Sequence, residues 1–533
     1  MPFFGSTECG IEHKPEPTIV SSTDGAERGT SGGLDTEKVG TSRDQRDMAR
    51  LGKKQEFTRN FEFLSILGFT CILMSTWETQ LAASSFGLIN GGLAGLIYMY
   101  LFTFAGFLAV IASMAEMASM APTSGGQYHW VSEFAPKSCQ KFLSYVTGWI
   151  CVLGWQTGIT SVAFLAGTQI QGLLVLNDPS YVFKQWHGTL LVIAISVIAI
   201  IFNTVLVKQL PMVEGTILML HIFGFLAILI PLWVLAPRNS AKDVFTVFSD
   251  GGNWGSMGLS TLIGVLSPAL AFIGPDSATH MSEEIRDASR ILPIAMMVTV
   301  VLNGVLGFVM LVTFCFCITD VQTALNTPTG YPFIAVFHNA TNSNAGTTGM
   351  TCILIVLTVC GCISNVATAS RQLFAFARDN GLPFSSFLAY VNPGYDVPLR
   401  SIFLSFLITV LLSLINIGSS VAFEAIASLG VACLFSSYIV SMCCLRIKRF
   451  RSEYLPPSRW SMGRYAGTVN TIAILYLVLV FVLCFFPEAR HIHAATFNWN
   501  VVIYVTVVAF AVVFYLVKGR HTYAGPVVLI KRE

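Results

Sequence analysis

The chain predicts an all-α polytopic membrane protein with twelve transmembrane helices. Three observations carry that reading. Of the 533 residues, 54% are hydrophobic, only 11% are charged, and the apolar residues fall in long unbroken runs. Soluble domains run near a quarter charged, so a chain this poor in charge must present much of its surface to a lipid bilayer. Spanning a hydrocarbon core near 30 Å takes roughly 20 apolar residues in a helix. Backbone amides in lipid need internal partners, and the runs lack the alternation of barrel strands, which leaves helices.

Residues 1–60 are polar, with no apolar core and no small-residue cleavage pattern of a signal peptide. The stretch Ser21–Arg50 is rich in Gly, Ser, Thr and charge, too poor in apolar area to order itself. Residues 1–60 therefore read as a disordered cytoplasmic tail, with a short amphipathic helix around Asp47–Phe57 as the alternative. A twelve-helix membrane domain is expected over residues 61–517. Its first six runs are Phe61–Gly87, Gly95–Ala118, Phe142–Leu176, Leu190–Val207, Val213–Leu235 and Met257–Gly274. The other six are Ile294–Ile318, Met350–Ala377, Ile402–Ile415, Ala422–Leu445, Val469–Phe486 and Trp499–Val517. The ninth is short, so eleven spans are also open. Residues 518–533 are expected to form a cytoplasmic C-terminal tail.

Basic residues give the orientation. With twelve spans and a cytoplasmic N-terminus, the inside loops collect Lys137, Lys141, Lys208, Arg286, Arg290, Arg371, Arg378, Arg400 and six residues between Arg446 and Arg464. The outside loops hold only Lys184, Arg238, Lys242 and Arg490. Both termini are therefore expected inside, and the plasma membrane is the expected location. Asn339-Ala340-Thr341 lies in the loop between the seventh and eighth spans, on the outer side, as an N-glycosylation acceptor. The thirteen cysteines are scattered, mostly within apolar runs, where Cys acts as a small hydrophobe. Their spacing supplies neither a zinc site nor a disulfide framework. The net charge of +2 implies no nucleic-acid partner.

The first and sixth spans differ from the others. The first carries Ser75-Thr76-Trp77-Glu78 at depth, and the sixth carries Ser267-Pro268 and then Phe272-Ile273-Gly274-Pro275-Asp276. An acid inside a span is expensive and marks function by default. Pro after Gly removes a helical hydrogen bond and clashes with the preceding turn. Two interrupted helices, each opening a five-span block, are the signature of an inverted-repeat transporter. Breaks leave amides, carbonyls and half-helix partial charges near the midplane, where a solute can satisfy them. A packing kink is the plain alternative.

Four segments carry a family resemblance. They are Ser75–Glu78 leading into Gly87-Leu88-Ile89-Asn90-Gly91-Gly92, and Ala115–Ala118 running into Ala121-Pro122-Thr123-Ser124-Gly125-Gly126-Gln127-Tyr128. The others are Phe272–Pro275 with Met281-Ser282-Glu283-Glu284 and Pro293, and Ser370–Arg378 with Asp379-Asn380-Gly381-Leu382-Pro383. The chain resembles the amino acid–polyamine–organocation superfamily, and within it the fungal amino acid/choline and GABA permeases. The resemblance implies a LeuT-type fold of two inverted five-helix repeats plus two additional helices, with solute held between the first, third, sixth and eighth. It also implies secondary active transport by alternating access, proton-driven in fungal members, and no cofactor. Many relatives have a Gly-rich break in the first helix that holds a substrate carboxylate; here Thr76, Trp77 and Glu78 stand there.

That departure favours a small amine-bearing solute: an amino acid, GABA or a choline-like cation. Glu78 would attract the amine, and Trp77 would offer a cation–π face worth roughly 0.5–2 kcal/mol. Substrate contacts are thus expected from Ser75, Thr76, Trp77 and Glu78, and from Phe272, Ile273, Gly274, Pro275 and Asp276. Glu116, Glu283, Glu284, Arg371 and Arg378 fall on the predicted inner side, as a gate of ion pairs or as interfacial charges. Lys208 could relay protons if buried, or serve as a positive-inside lysine. His221, beyond Glu214 on the same span, is a second proton-coupling candidate. No Walker lysine exists, so ATP-driven transport is not expected. Alternatives are a specialised metabolite or amino-acid-derived precursor as cargo or, in a different class, a channel, receptor or membrane enzyme. An enzyme would need converging nucleophiles or a metal, whereas the acids here sit at matching breaks.

Overall fold

The computed structural model describes residues 40–526 apart from 393, 395, 419, 492–496 and 524. In chain order the helices that matter are α1 (Ser42–Arg50), α2 (Phe63–Met74), α3 (Thr76–Ala82), α4 (Gly92–Met120), α5 (Gln127–Phe134), α6 (Gln140–Asn177), α7 (Gln185–Thr204) and α8 (Leu210–Leu235). They continue as α9 (Met257–Ile263), α10 (Leu266–Ala271), α11 (Ser277–His280), α12 (Ala288–Cys317), α13 (Pro332–Thr341), α14 (Asn344–Arg378), α15 (Leu399–Ser413), α16 (Ser420–Phe450), α17 (Ala466–Leu483) and α18 (Asn500–Phe514). Among the described residues, ten helices are long and apolar enough to cross a membrane. The two expected spans missing from that group are the first and sixth, because both are interrupted. The ninth span, short in sequence, gains length from Ile415–Gly418 after α15 and qualifies.

The first span breaks without Gly or Pro. Ser75 adopts φ 40°, ψ 50°, a left-handed conformation that ends α2 and starts α3, and its hydroxyl donates back to the Ile72 carbonyl. The sixth span bends after Ile263 and opens fully at Gly274, whose φ of 129° disfavours any side chain. The breaks abut: a Cβ on Gly274 would stand 2.7 Å from Leu73 Cδ2 and 3.1 Å from the Met74 Cα.

Equivalent spans of the two halves also meet. The second packs along the seventh (α4 on α12), the third along the eighth (α6 on α14), and the fourth along the ninth (α7 on α15). Such pairing is what a pseudo-two-fold axis through the membrane plane produces. The fold is the expected LeuT type.

Three sequence expectations are corrected. Residues 1–39 lie outside the described residues, but the tail expected to be disordered through residue 60 is ordered from Gly40. A capping box from Thr41 and Asp44 starts α1, and Phe57 is fully buried, edge-on to Phe374 at 5.1 Å. Phe61 then makes one isolated parallel bridge to the chain after α11, its N–H donating to the Glu284 carbonyl and its own carbonyl accepting from Arg286 N–H, both at 3.0 Å. Composition argues for disorder because this segment finds its apolar partners only in the folded bundle. At the other end, helix continues beyond 517 through Thr522, and Tyr523 is buried with its hydroxyl 2.6 Å from Ser144. Asn339 lies on α13 rather than in an open loop, although its side chain is exposed.

Candidate functional site

The break residues divide by direction. Phe272 turns into the second span, its ring 5.1 Å from Tyr100 and 5.6 Å from both Phe104 and Phe107. Thr76 lies against the same wall, its methyl facing the position of Gly307. Ile273 is half-buried and Pro275 buried. These side chains set the shape of the break.

Asp276 is fully buried. Its Oδ2 accepts from Gln127 Nε2 at 2.7 Å, and its Oδ1 has no hydrogen-bond partner. Gln127 reaches it because the chain turns tightly before α5: Gly126 has φ 56°, and a Cβ there would meet His280 Cε1 at 2.8 Å. Through Nδ1, His280 contacts the Ser124 carbonyl at 2.9 Å, while its Nε2 is unpartnered. Trp155 of α6 stands edge-on to His280 at 5.5 Å, with its indole N–H unpartnered. Tyr438 of α16 turns its hydroxyl toward the Asp276 carboxylate, at the edge of hydrogen-bond reach. Sequence alone did not bring Gln127, Trp155, His280 and Tyr438 to this break. Gln127 was visible inside the Gly125-Gly126 motif; the others carry no local signal that separates them from core residues.

Glu78 faces a different direction. Its Oε1 is 2.6 Å from His221 Nδ1, and His221 Nε2 is 3.0 Å from Asn303 Oδ1. Trp77 is fully buried against the His221 ring at 5.8 Å and Phe225 at 6.0 Å. Both side chains expected to greet the amine are thus engaged by α8. Glu214, on that helix, accepts from Ser364 Oγ at 2.9 Å.

The face that collects the basic loops is closed by ion pairs. Arg378 binds Glu283 through two hydrogen bonds of 2.8 and 2.7 Å, and Arg371, fully buried, reaches Glu284 at 2.8 Å. Lys53 of the N-terminal segment pairs with Asp379, which also accepts from the Tyr128 hydroxyl at 3.0 Å. Glu116 joins Arg449 at 2.6 Å and Ser461 at 2.8 Å. Lys208 is exposed on a short 3-10 turn, which corrects the idea of a buried relay lysine. Burial would raise the Glu283 carboxyl, but the Arg378 charge overrides it and holds it at about 2. Burial, reinforced by Lys53, pushes His129 of α5 down to about 3. Neither group on this face changes charge near neutral pH.

Known proteins match along almost the full transporter domain. The model of a family described as amino acid permease matches residues 61–511. A Macrophomina phaseolina protein named as an amino acid/polyamine transporter is 31% identical over 441 residues, covering 82% of this chain and 96% of its own. The choline transporter of Saccharomyces cerevisiae is 28% identical over 468 residues, covering 87% of this chain and 82% of its own. A crystal structure of the Eremococcus coleocola manganese transporter superposes with a TM-score of 0.54 at 13% identity, covering 88% of this chain and 94% of that one, a likeness of fold. With two broken helices meeting at the centre of a symmetric bundle and a family match across it, the chain belongs to the amino acid permease family and is a multi-pass membrane transporter.

Proposed function

We propose that this protein moves a small amine-bearing solute, an amino acid or a choline-like cation, by proton-coupled alternating access across the plasma membrane, with both termini cytoplasmic. The observation that carries the substrate class is the group around Asp276. Two buried polar atoms beside Asp276, His280 Nε2 and Trp155 Nε1, have no hydrogen-bond partner, and the Tyr438 hydroxyl faces the Asp276 carboxylate at the edge of hydrogen-bond reach. Buried polar groups are almost always satisfied, so a cluster of exceptions beside a helix break marks where a ligand supplies the missing bonds. Among the described residues no lysine, arginine or histidine pairs with the buried Asp276 carboxylate, and such a group calls for a cation. The rings of Trp155 and Tyr438 suit a primary or quaternary ammonium group. The names of the relatives, a choline transporter and an amino acid/polyamine transporter, agree with that chemistry.

Asp276 then takes the amine, and Gln127 holds its second oxygen in place. The ion pairs of Glu283, Glu284, Arg371 and Arg378 act as the inner gate, closed in this conformation. Asn339, exposed on the opposite side, is a candidate glycosylation position. A competition panel of choline, GABA and basic, acidic and neutral amino acids against a radiolabelled probe identifies the solute. Asp276→Asn keeps the shape and removes the charge. Losing a charged partner in a dry site costs about 2–5 kcal/mol, so affinity for the best competitor should fall roughly 30-fold or more. Unchanged affinity in a well-folded Asp276→Asn protein would move the amine site elsewhere.

A further inference from the structure

Three buried polar side chains from three spans meet beside the first-span break. Glu78 comes from α3, His221 from α8 and Asn303 from α12, and none is more than 2% exposed. Their hydrogen bonds count the protons they hold. Asn303 Nδ2 donates to the Cys71 carbonyl at 2.8 Å; with the amide turned over, two oxygens would oppose each other across that gap. Its Oδ1 is therefore the atom 3.0 Å from His221 Nε2. An amide oxygen only accepts, so Nε2 carries a proton. The other ring nitrogen, Nδ1, lies 2.6 Å from Glu78 Oε1. A lone pair facing a carboxylate oxygen at that distance repels, so this contact holds a second proton. Whether that proton sits on the imidazole or on the carboxyl, the pair as a unit is neutral.

Titratable groups from the neighbouring elements surround the pair. Cys71 of α2 feels the charge of Glu78, and its thiol is 3.7 Å from Thr299. Glu214, two turns before His221, is held by Ser364, with Cys360 of α14 within reach of its charge. From α4, Tyr100 gives its hydroxyl to the Gly304 carbonyl at 2.8 Å, and His338 of α13 bonds Asn344. Among the described residues, the ion partner of Glu78 is His221, not a lysine or arginine. The Trp77 ring lies tilted against the imidazole at 5.8 Å, and both are fully buried.

We propose that Glu78, His221 and Asn303 form the coupling-proton site of this carrier, loaded in the present conformation. The proposal rests on the transport reading above and assigns Glu78 to the proton, leaving the amine to Asp276. Its mechanical content is that α3, beyond the Ser75 break, carries the acid, whereas α8 and α12 carry the imidazole and its anchor. Removing one proton leaves a net negative charge in a dry site with a repulsive contact. Protonation therefore favours α3 seated on α8, and release favours its departure, the linkage that couples proton to conformation. In each cycle one proton joins the pair from one side of the membrane and leaves to the other; no other bond changes.

The test uses purified protein in liposomes, with radiolabelled choline, GABA and leucine as probes. Uptake under an inward proton gradient, lumenal acidification by a trapped dye, and equilibrium exchange without a gradient are measured together. The parent protein should accumulate a probe and acidify the lumen. Glu78→Gln and His221→Gln should lose both while exchange stays within about threefold. Asp276→Asn should lose exchange as well. Asn303→Ser keeps the pair and removes the acceptor that pins Nε2–H, so it covers the case in which the other variants do not fold. It should shift the pH midpoint of uptake by about half a unit or more. Gradient-driven accumulation by Glu78→Gln, loss of its exchange in a folded protein, or an unmoved midpoint in Asn303→Ser would each overturn the assignment. Exchange by the parent without acidification would reject the proton site and leave the transport reading standing. Absence of exchange with every probe would reject both.

Discussion

Gly274 carries a different burden from the one its neighbours in sequence imply. A Gly-Pro pair in the sixth span reads as a place where backbone approaches solute, but the atoms that crowd Gly274 belong to Leu73 and Met74. The residue lets the two breaks touch. Gly274→Ala should therefore act through strain, of order 1–3 kcal/mol for a side chain held at this φ. Transport should fall about tenfold or more while the protein still reaches the membrane, and Leu73→Ala should not restore it, because the backbone angle remains. Full rescue by Leu73→Ala, read in the uptake assay, would make the clash and not the angle decisive. At this scale the sequence was half legible. Glu78 and Asp276 stand out as acids in apolar runs, but nothing local says that Glu78 pairs with a histidine 143 positions away. Helix rotation decides which way a side chain points, and rotation is set by packing.

Among the elements, the closed face tests the gate. Glu283 sits between α11 and α12 and Arg378 ends α14, so their two hydrogen bonds tie the sixth span to the eighth. Removing one partner of such a pair costs about 3–5 kcal/mol, because the other charge stays buried. Glu283→Gln should lower thermal stability in detergent by that order, and Glu283→Gln with Arg378→Gln should recover much of it. If the double variant is no more stable than the single, the pair is not the tie. The sign with pH follows from the carboxyl at about 2, below its ordinary 4.5. A lowered carboxyl stabilises above its unfolded value and loses that contribution as pH falls toward 2. The tie should thus hold unchanged from pH 5 to 8, and pH dependence of uptake in that window belongs to another group. The motif Met281–Glu284 and the segment around Arg378 were both legible; Lys53 was not, since it lay in a stretch that composition marked as disordered.

At the scale of the whole molecule, the loops assigned to one side by their basic residues do gather on one face, with the N-terminal segment and the end of the last helix. Lys448 donates to the Glu133 carbonyl at 2.8 Å, Arg459 pairs with Asp287, and Lys141 reaches the Arg520 carbonyl at 2.7 Å. The proposed topology makes a direct forecast. Single cysteines at Arg238 and Asn339 should react with an impermeant maleimide in intact cells, and those at Lys137 and Arg451 only after permeabilisation. Equal labelling at all four would break the in–in arrangement. What the sequence determined by itself was the set of long apolar runs, the two spans that are interrupted, and the family. Those follow from local hydropathy and from residues that cannot sit in a helix or in lipid without cause. Only the tertiary structure decided that Glu78 faces His221 while Asp276 faces Gln127 and Tyr438, that Ser75 breaks a helix with no Gly or Pro, and that residues 40–62 dock. Each is a pairing between groups distant in the chain, and such pairings exist only once the helices have packed.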